Sequence, residues 1–333
     1  MVGDLALASR AMVEESVIRE ALPPAAVGRV QQVLVRNGAA TLVVDAAGLS
    51  RQGAERLEQA IRERVGALDG ISEVRVAMTA DKVVRRIVAV GSGKGGVGKS
   101  TLTANLAVAL ARMGRKVGVV DADVYGPSQT MLLDAESKKP TARDDKLIPV
   151  ETDFGIRFLS MAQMIEPGKA IAWRGPMVGK ALAQLIEADW GDAELLLVDL
   201  PPGTGDVQLT MIQRFRPAGA VIVTTPQDLA LIDAARAIDL FRQVDVPIAG
   251  IVENMAGYVG PHCGKTSDPF GHGGAEAAAR AMGIEFLGRV PLAMEIRVAS
   301  DAGQPPAAND APHGRAFTAI AERLAAWLDR EER

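Results

Sequence analysis

The chain has 333 residues, with 37 basic and 41 acidic side chains, a net charge of −4 and only 4% aromatic residues. That balance gives no electrostatic or stacking case for nucleic acid and none for an anionic membrane surface. The single cysteine rules out an intramolecular disulfide. No stretch approaches the ~18 uninterrupted apolar residues of a membrane span, and "MVGDLALASRAMVEES" lacks the basic and apolar regions of a signal peptide. A cytoplasmic protein is expected, with neither nucleic acid nor membrane among its partners.

In chain order, "SRAMVEESVIREAL" predicts a helix stopped by Pro23-Pro24. "VGRVQQVLVR" and "AATLVVD" predict a hairpin around Asn37-Gly38, a dipeptide suited to a tight turn. A second helix begins near Ser50, with Ala54, Leu57, Ile61, Val65 and Leu68 on one face, and "EVRVAMT" supplies a third strand. Residues 1–79 thus form a small α+β domain, and the basic stretch 80–86 reads as its linker.

From residue 87 to 333 the pattern changes. "RIVAVGS", "KVGVVDAD", "ELLLVDL", "GAVIVTT" and "PIAGIVEN" are apolar runs separated by helix-length segments. Strands covered on both faces read this way, so the fold class is α/β, a doubly wound and mostly parallel sheet with ligands at the strand C-termini.

Directly after the first of these strands, Gly93–Ser100 fit G-x-x-x-x-G-K-[ST], and an amphipathic helix follows. Glycines let backbone amides turn around a polyphosphate, and the helix offers its positive end. The expected contacts to ATP are Gly93, Lys94, Gly95, Gly96, Val97, Gly98, Lys99, Ser100 and Thr101. Lys99 pairs with phosphate and Ser100 ligates magnesium. Lys94 is a second cation that the loop does not require for cradling phosphate.

Acidic residues end two of the strands: Asp121 and Asp123 in "VGVVDADVYGPS", Asp199 and Asp206 in "LLLVDLPPGTGD". Phosphoryl transfer needs carboxylates to support magnesium and orient water. Asp199 is expected to support the magnesium and Asp123 to position the water. Helix capping competes as a reading for Asp121 and Asp206.

The spacing "KGGVGK" resembles the deviant Walker A loop of the family that includes MinD, ParA and the nitrogenase iron protein. That resemblance implies a nucleotide-sandwich homodimer in which Lys94 reaches the partner's nucleotide. "DADVYGPSQTMLL", "WRGPMVGKAL", "DLPPGTGDVQLT", "VTTPQDLALIDAARAI", "GIVENMAGY" and "FGHGGAEAAA" resemble the Mrp/ApbC-type ATPases, which are iron-sulfur cluster carriers. The resemblance covers residues ~87 to 300 and implies ATPase activity, with apo iron-sulfur clients or assembly factors as partners. It also places Asn254 at the adenine edge. The N-terminal unit resembles the iron-sulfur assembly domain often fused to this ATPase, without its usual thiol.

The family usually carries a C-x-x-C pair after "VENM", and this chain has Gly260-Pro261-His262-Cys263. A homodimer then offers two thiolates rather than four. Three readings stay open: a cluster held by Cys263 with His262 or His272; missing ligands supplied by a partner, glutathione or solvent; or an ATPase whose cluster binding is weak or lost, acting as a scaffold without metal cargo. "FGHGG" leads into a helix or brings His272 to the nucleotide or the dimer seam.

Overall fold

The computed structural model describes residues 13–46, 49, 51–79, 85–124, 126–164, 175–260 and 263–331. The chain divides into two compact units, Met1–Val83 and Val84–Arg333.

In the smaller unit, α1 (Glu15–Ala21) is followed by β1 (Val30–Arg36), β2 (Ala39–Asp45), α2 (Arg51–Gly66) and β3 (Glu73–Thr79). Glu14 takes extended backbone and α1 begins after it; residues 9–12, also expected in this helix, lie outside the described residues. Asn37 and Gly38 both have left-handed backbone, at φ of 51° and 81°, which matches the turn to the twist of the two strands it joins. β2 lies in the middle, antiparallel to β1 and parallel to β3. Its alternate residues Ala40, Leu42 and Val44 are buried in one cluster with Ile18, Leu57, Ile61 and Val65, as period-two and helical spacings require.

The larger unit runs β4 (Arg86–Ser92), α3 (Lys99–Arg112), β5 (Val117–Asp121), α4 (Gln129–Leu132), β6 (Thr141–Arg143), β7 (Lys146–Ile148), β8 (Val150–Glu151), β9 (Arg157–Ser160) and α5 (Gly175–Ile186). It continues with β10 (Leu195–Asp199), α6 (Asp206–Phe215), β11 (Gly219–Thr224), α7 (Asp228–Arg242), β12 (Ile248–Val259) and β13 (Thr266–Ser267). It ends with α8 (Gly274–Met282), β14 (Phe286–Leu292), α9 (Met294–Asp301) and α10 (Pro312–Glu331). Among the described residues, no helix is long and apolar enough to cross a membrane.

The main sheet has the order β13-β12-β11-β4-β10-β5-β9-β8, with β14 also paired to β12. Its core pairings are parallel, and only β13 and β8 run antiparallel to their neighbours. The five apolar runs of the sequence are its central strands. Each strand sends alternate residues to opposite faces: Val88, Val119, Leu197 and Val221 join one core, and Ala89, Val120, Leu196 and Ile222 the other. α3 and α10 cover the first face, and α5, α7 and α8 contribute to the second. The strands β9 and β14, absent from the sequence reading, extend the two sides of this sheet.

β4 lies between β10 and β11, so the chain leaves it in one direction for β5 and later returns to the other side for β11 and β12. The crevice outside the carboxyl end of β4 is therefore the switch point of the sheet. Trp190, between α5 and β10, is fully buried in the second core, and its indole N–H donates to Leu185 O at 3.0 Å. Trp190→Ala is expected to cost the larger unit about 3–5 kcal/mol, read as a lowered denaturant midpoint with the slope unchanged.

Candidate functional site

β4 ends in Ser92, and its hydroxyl donates to Lys94 O at 3.0 Å, turning the chain into the glycine loop. A Cβ on Gly93 would lie 2.1 Å from the Asp233 backbone, so only glycine passes α7 there. Gly98 caps α3 with left-handed backbone, φ 84°, and a Cβ on it would lie 2.0 Å from Asn254 Nδ2. That same nitrogen donates to Val97 O at 2.7 Å, tying the middle of β12 to the loop. The loop and the positive end of α3 open on a cavity of about 450 Å³. Lys94, Ser100, Asp123 and Asn254 line it together with the apolar Met131, Leu132, Leu292 and Ile296.

Lys99 and Asp199 meet at the cavity floor. Lys99 Nζ lies 2.6 Å from Asp199 Oδ1 and 3.4 Å from Ser100 Oγ, with both ends of the ion pair buried. Thr103 Oγ1 also donates to Asp199 Oδ1, at 3.3 Å. β5 and β10 pair Asp121 with Asp199 in register, which sets two carboxylates side by side. Burial and the charge of Asp199 push the Asp121 carboxyl up to about 7. Asp121 accepts the backbone N–H groups of Asp123 and of Gln129, both at 3.2 Å, and the Ser160 hydroxyl at 3.0 Å. The capping reading suits it, since Gln129 opens α4. Asp123 is buried on the cavity wall and accepts the Gly126 N–H at 3.2 Å. The side chain of Asp206 lies outside the described residues.

Two glutamines were not singled out from the sequence. Gln129 donates through Nε2 to Asp199 Oδ2 and to Ser100 O, each at 2.9 Å. Gln208 pins the segment after Asp199, accepting the Gly205 N–H and donating to Pro201 O and Gly203 O, each at 2.6 Å. Only the placement of an amide in "GPSQT" and "GDVQ" hinted at either. Neither matches a motif.

Beyond Asn254, β12 continues into a hairpin with β13, pairing Tyr258 with Ser267 and Val259 with Thr266. Cys263 is exposed at its turn, closed by Gly260 N–H to Lys265 O at 3.0 Å and Gly264 N–H to Gly260 O at 2.8 Å. A Cβ on Gly260 would sit 2.9 Å from Cys263 Sγ, so a side chain at position 260 would point at the thiol. His262 lies outside the described residues. His272 is exposed, its Nδ1 3.6 Å from Asp268 Oδ1. Among the described residues, no three His, Cys, Asp or Glu side chains gather as a metal cluster.

"FGHGG" is a helix lead-in. Gly273 is the left-handed cap of α8. The fully buried Glu253 accepts the N–H groups of Gly273 and Ala275 at 3.3 and 2.8 Å and pairs with Arg289 at 2.9 Å.

The model of the ParA family described as NUBPL iron-transfer P-loop NTPase matches residues 83–325. The chain belongs to this family. The iron-sulfur cluster carrier protein of Pseudomonas fragi is 51% identical over 230 residues, which are 68% of this chain and 80% of that protein. A nucleotide-binding protein from Archaeoglobus fulgidus, solved in complex with ADP, is 41% identical with a TM-score of 0.59, covering 67% of this chain and 88% of its own. The septum site-determining protein MinD of Pyrococcus horikoshii, complexed with Mg-ADP, is 26% identical with a TM-score of 0.57, covering 74% and 98%. Within this NTPase fold, the loop and Lys99 line one cavity, and Asp199 is buried against the Lys99 ammonium.

The Asp121 carboxyl stays protonated in the folded protein up to about pH 7, whereas its ordinary value is 3.8. The folded state therefore binds more protons between those values, and the contribution to stability falls as pH rises from about 4 to about 7. Asp121→Asn lacks this linkage. Its unfolding free energy, subtracted from that of the wild type, is expected to leave a difference that declines across that window and is flat above it.

Proposed function

We propose that the chain is a cytoplasmic, ATP-hydrolysing iron-sulfur cluster carrier that works as a homodimer and delivers its cargo to apo iron-sulfur proteins or assembly factors. The names of its relatives support the cargo. The observation that carries the reading is that one strand, β12, holds the phosphate loop through Asn254 and ends in the hairpin that displays Cys263. A change in the nucleotide reaches the thiol through that strand. The residues 1–79 serve as an accessory assembly domain; the linker expected at 80–86 ends earlier, since Arg86 already opens β4.

The loop amides of Gly93–Gly98 and the start of α3, with Ser100 and Thr101, receive the phosphates. Lys99 exchanges its contact with Asp199 for one with phosphate oxygen. The donors fit magnesium: Ser100 Oγ and Asp199 Oδ1 are hard oxygens that already face one cationic atom, Lys99 Nζ, at 3.4 and 2.6 Å. Ser100 would hold the ion and Asp199 would support it, and the ion would supply charge neutralisation on the phosphate oxygens. Asp123 orients a water whose oxygen bonds to the γ-phosphorus as the bond to the bridging oxygen breaks, giving ADP and phosphate. Asn254, with Nδ2 committed to Val97 O, turns its amide oxygen to the adenine edge. Lys94 is partly exposed on the cavity wall and reaches the partner protomer's phosphates.

Lys94→Ala is expected to lower phosphate release by on the order of a hundredfold with the melting temperature unchanged, and normal hydrolysis would contradict the dimer mechanism. For the cargo, two Cys263 thiolates per dimer leave coordination to be completed by His262 or by ligands from outside the chain. Gly260→Cys would place a second sulfur beside Cys263. After anaerobic reconstitution it is expected to retain iron and sulfide longer than the wild type. Equal retention would mean that Cys263 is not a cargo ligand, and would favour a scaffold ATPase without metal.

A further inference from the structure

Gln129 has no part in the scheme above, yet it touches both residues expected to hold the cation. Its side chain is fully buried at the first residue of α4. Nε2 reaches Asp199 Oδ2 and Ser100 O, while the backbone N–H is held by Asp121. The amide oxygen Oε1 is buried without a hydrogen-bond partner among the described residues.

These contacts divide the Asp199 carboxylate in two. Among the described residues, Oδ1 is used by Lys99 and Thr103, and Oδ2 by Gln129. When Lys99 turns to a phosphate, Oδ1 loses its cation and a fully buried carboxylate remains. A neutral amide cannot replace that charge. It can keep Oδ2 fixed, so that Oδ1 stays aimed where the ammonium was. An apolar side chain would fill the same space without burying an orphaned oxygen, and a donor that completes Oε1 accounts for an amide at this position. Water on a divalent cation is a strong donor, and Oε1 belongs to the same amide group whose Nε2 holds Asp199 Oδ2 and Ser100 O.

We propose that Gln129 is a positioning residue for the divalent cation of the nucleotide site: Nε2 orients Asp199, and Oε1 accepts a hydrogen bond from a water on the cation. This rests on the nucleotide-binding reading given above. It makes affinity for the nucleotide depend on Gln129 only when the cation is present.

The test is equilibrium binding of a fluorescent ADP analogue to the full chain, in excess magnesium and in excess EDTA, for wild type, Gln129→Met and Gln129→Asn. Methionine keeps the volume without polar atoms, and asparagine withdraws the amide by one methylene. The ratio of the two affinities is taken within each protein below its melting transition, so lost stability cancels. Magnesium is expected to tighten binding to the wild type, and both variants to lose about tenfold of that gain, with EDTA affinities within about twofold of wild type. An unchanged ratio in both variants, including a parallel fall of both affinities, overturns the proposal and leaves Gln129 a packing residue. A wild type that binds no ADP in either condition overturns the nucleotide reading itself.

Discussion

The contact between Lys99 Nζ and Asp199 Oδ1, 2.6 Å long with the side chains 6% and 0% exposed, organises the crevice at the end of β4. Two charges so deeply buried lose hydration that their attraction barely repays, so fold stability alone does not explain them. On the proposed function their value lies in exchange: a phosphate would take the ammonium and free the carboxylate to support the accompanying cation. Every neighbouring group serves one side of that exchange: Gly98 and Asn254 shape the loop, Thr103 and Gln129 hold the carboxylate, and Asp121 braces the strand beside it.

The exchange matters to function because of what β12 connects. Glu253 anchors the strand to the start of α8, Asn254 binds the phosphate loop, and the hairpin beyond carries Cys263. Between these points, Met255 and Gly257 have left-handed backbone, at φ of 58° and 76°, and the pairing with β14 shifts register. A methionine held in that conformation stores strain of the kind found at switch regions. The strand is thus anchored at Glu253, engaged at Asn254 and irregular just before the Cys263 hairpin. On the proposed function, that sequence of properties would let a local change in the loop become a displacement at the thiol.

Much of this was legible in the sequence, for physical reasons that differ by element. Gly93–Thr101 form a local motif whose chemistry depends on neighbours in the chain, and Asp199 closes an apolar strand, so both stood out. The central strands were visible because they are buried on both faces and read as continuous apolar runs. β9 and β14 were not: Arg157–Ser160 is only four residues long, and Gly288 and Pro291 interrupt the second. Gln129 and Glu253 were also invisible, since each acts on residues far away in the chain, and Gln208 was invisible because its contacts to Gly205, Gly203 and Pro201, though local, follow no recognised spacing. The raised carboxyl of Asp121 depends on its register with Asp199 across two strands, a relation no spacing records. The glycine at position 260 could be read as a missing thiol, but only the hairpin geometry puts it face to face with Cys263.

The decisive measurement is the rate at which the anaerobically reconstituted protein passes its cluster to an apo-ferredoxin, followed by visible absorption with ATP and magnesium and again without nucleotide. If the nucleotide site drives the Cys263 hairpin through β12, the two rates differ, and the difference disappears in Lys94→Ala. Identical rates from a protein that hydrolyses ATP would contradict the account, leaving the NTPase and the thiol as independent features of one chain.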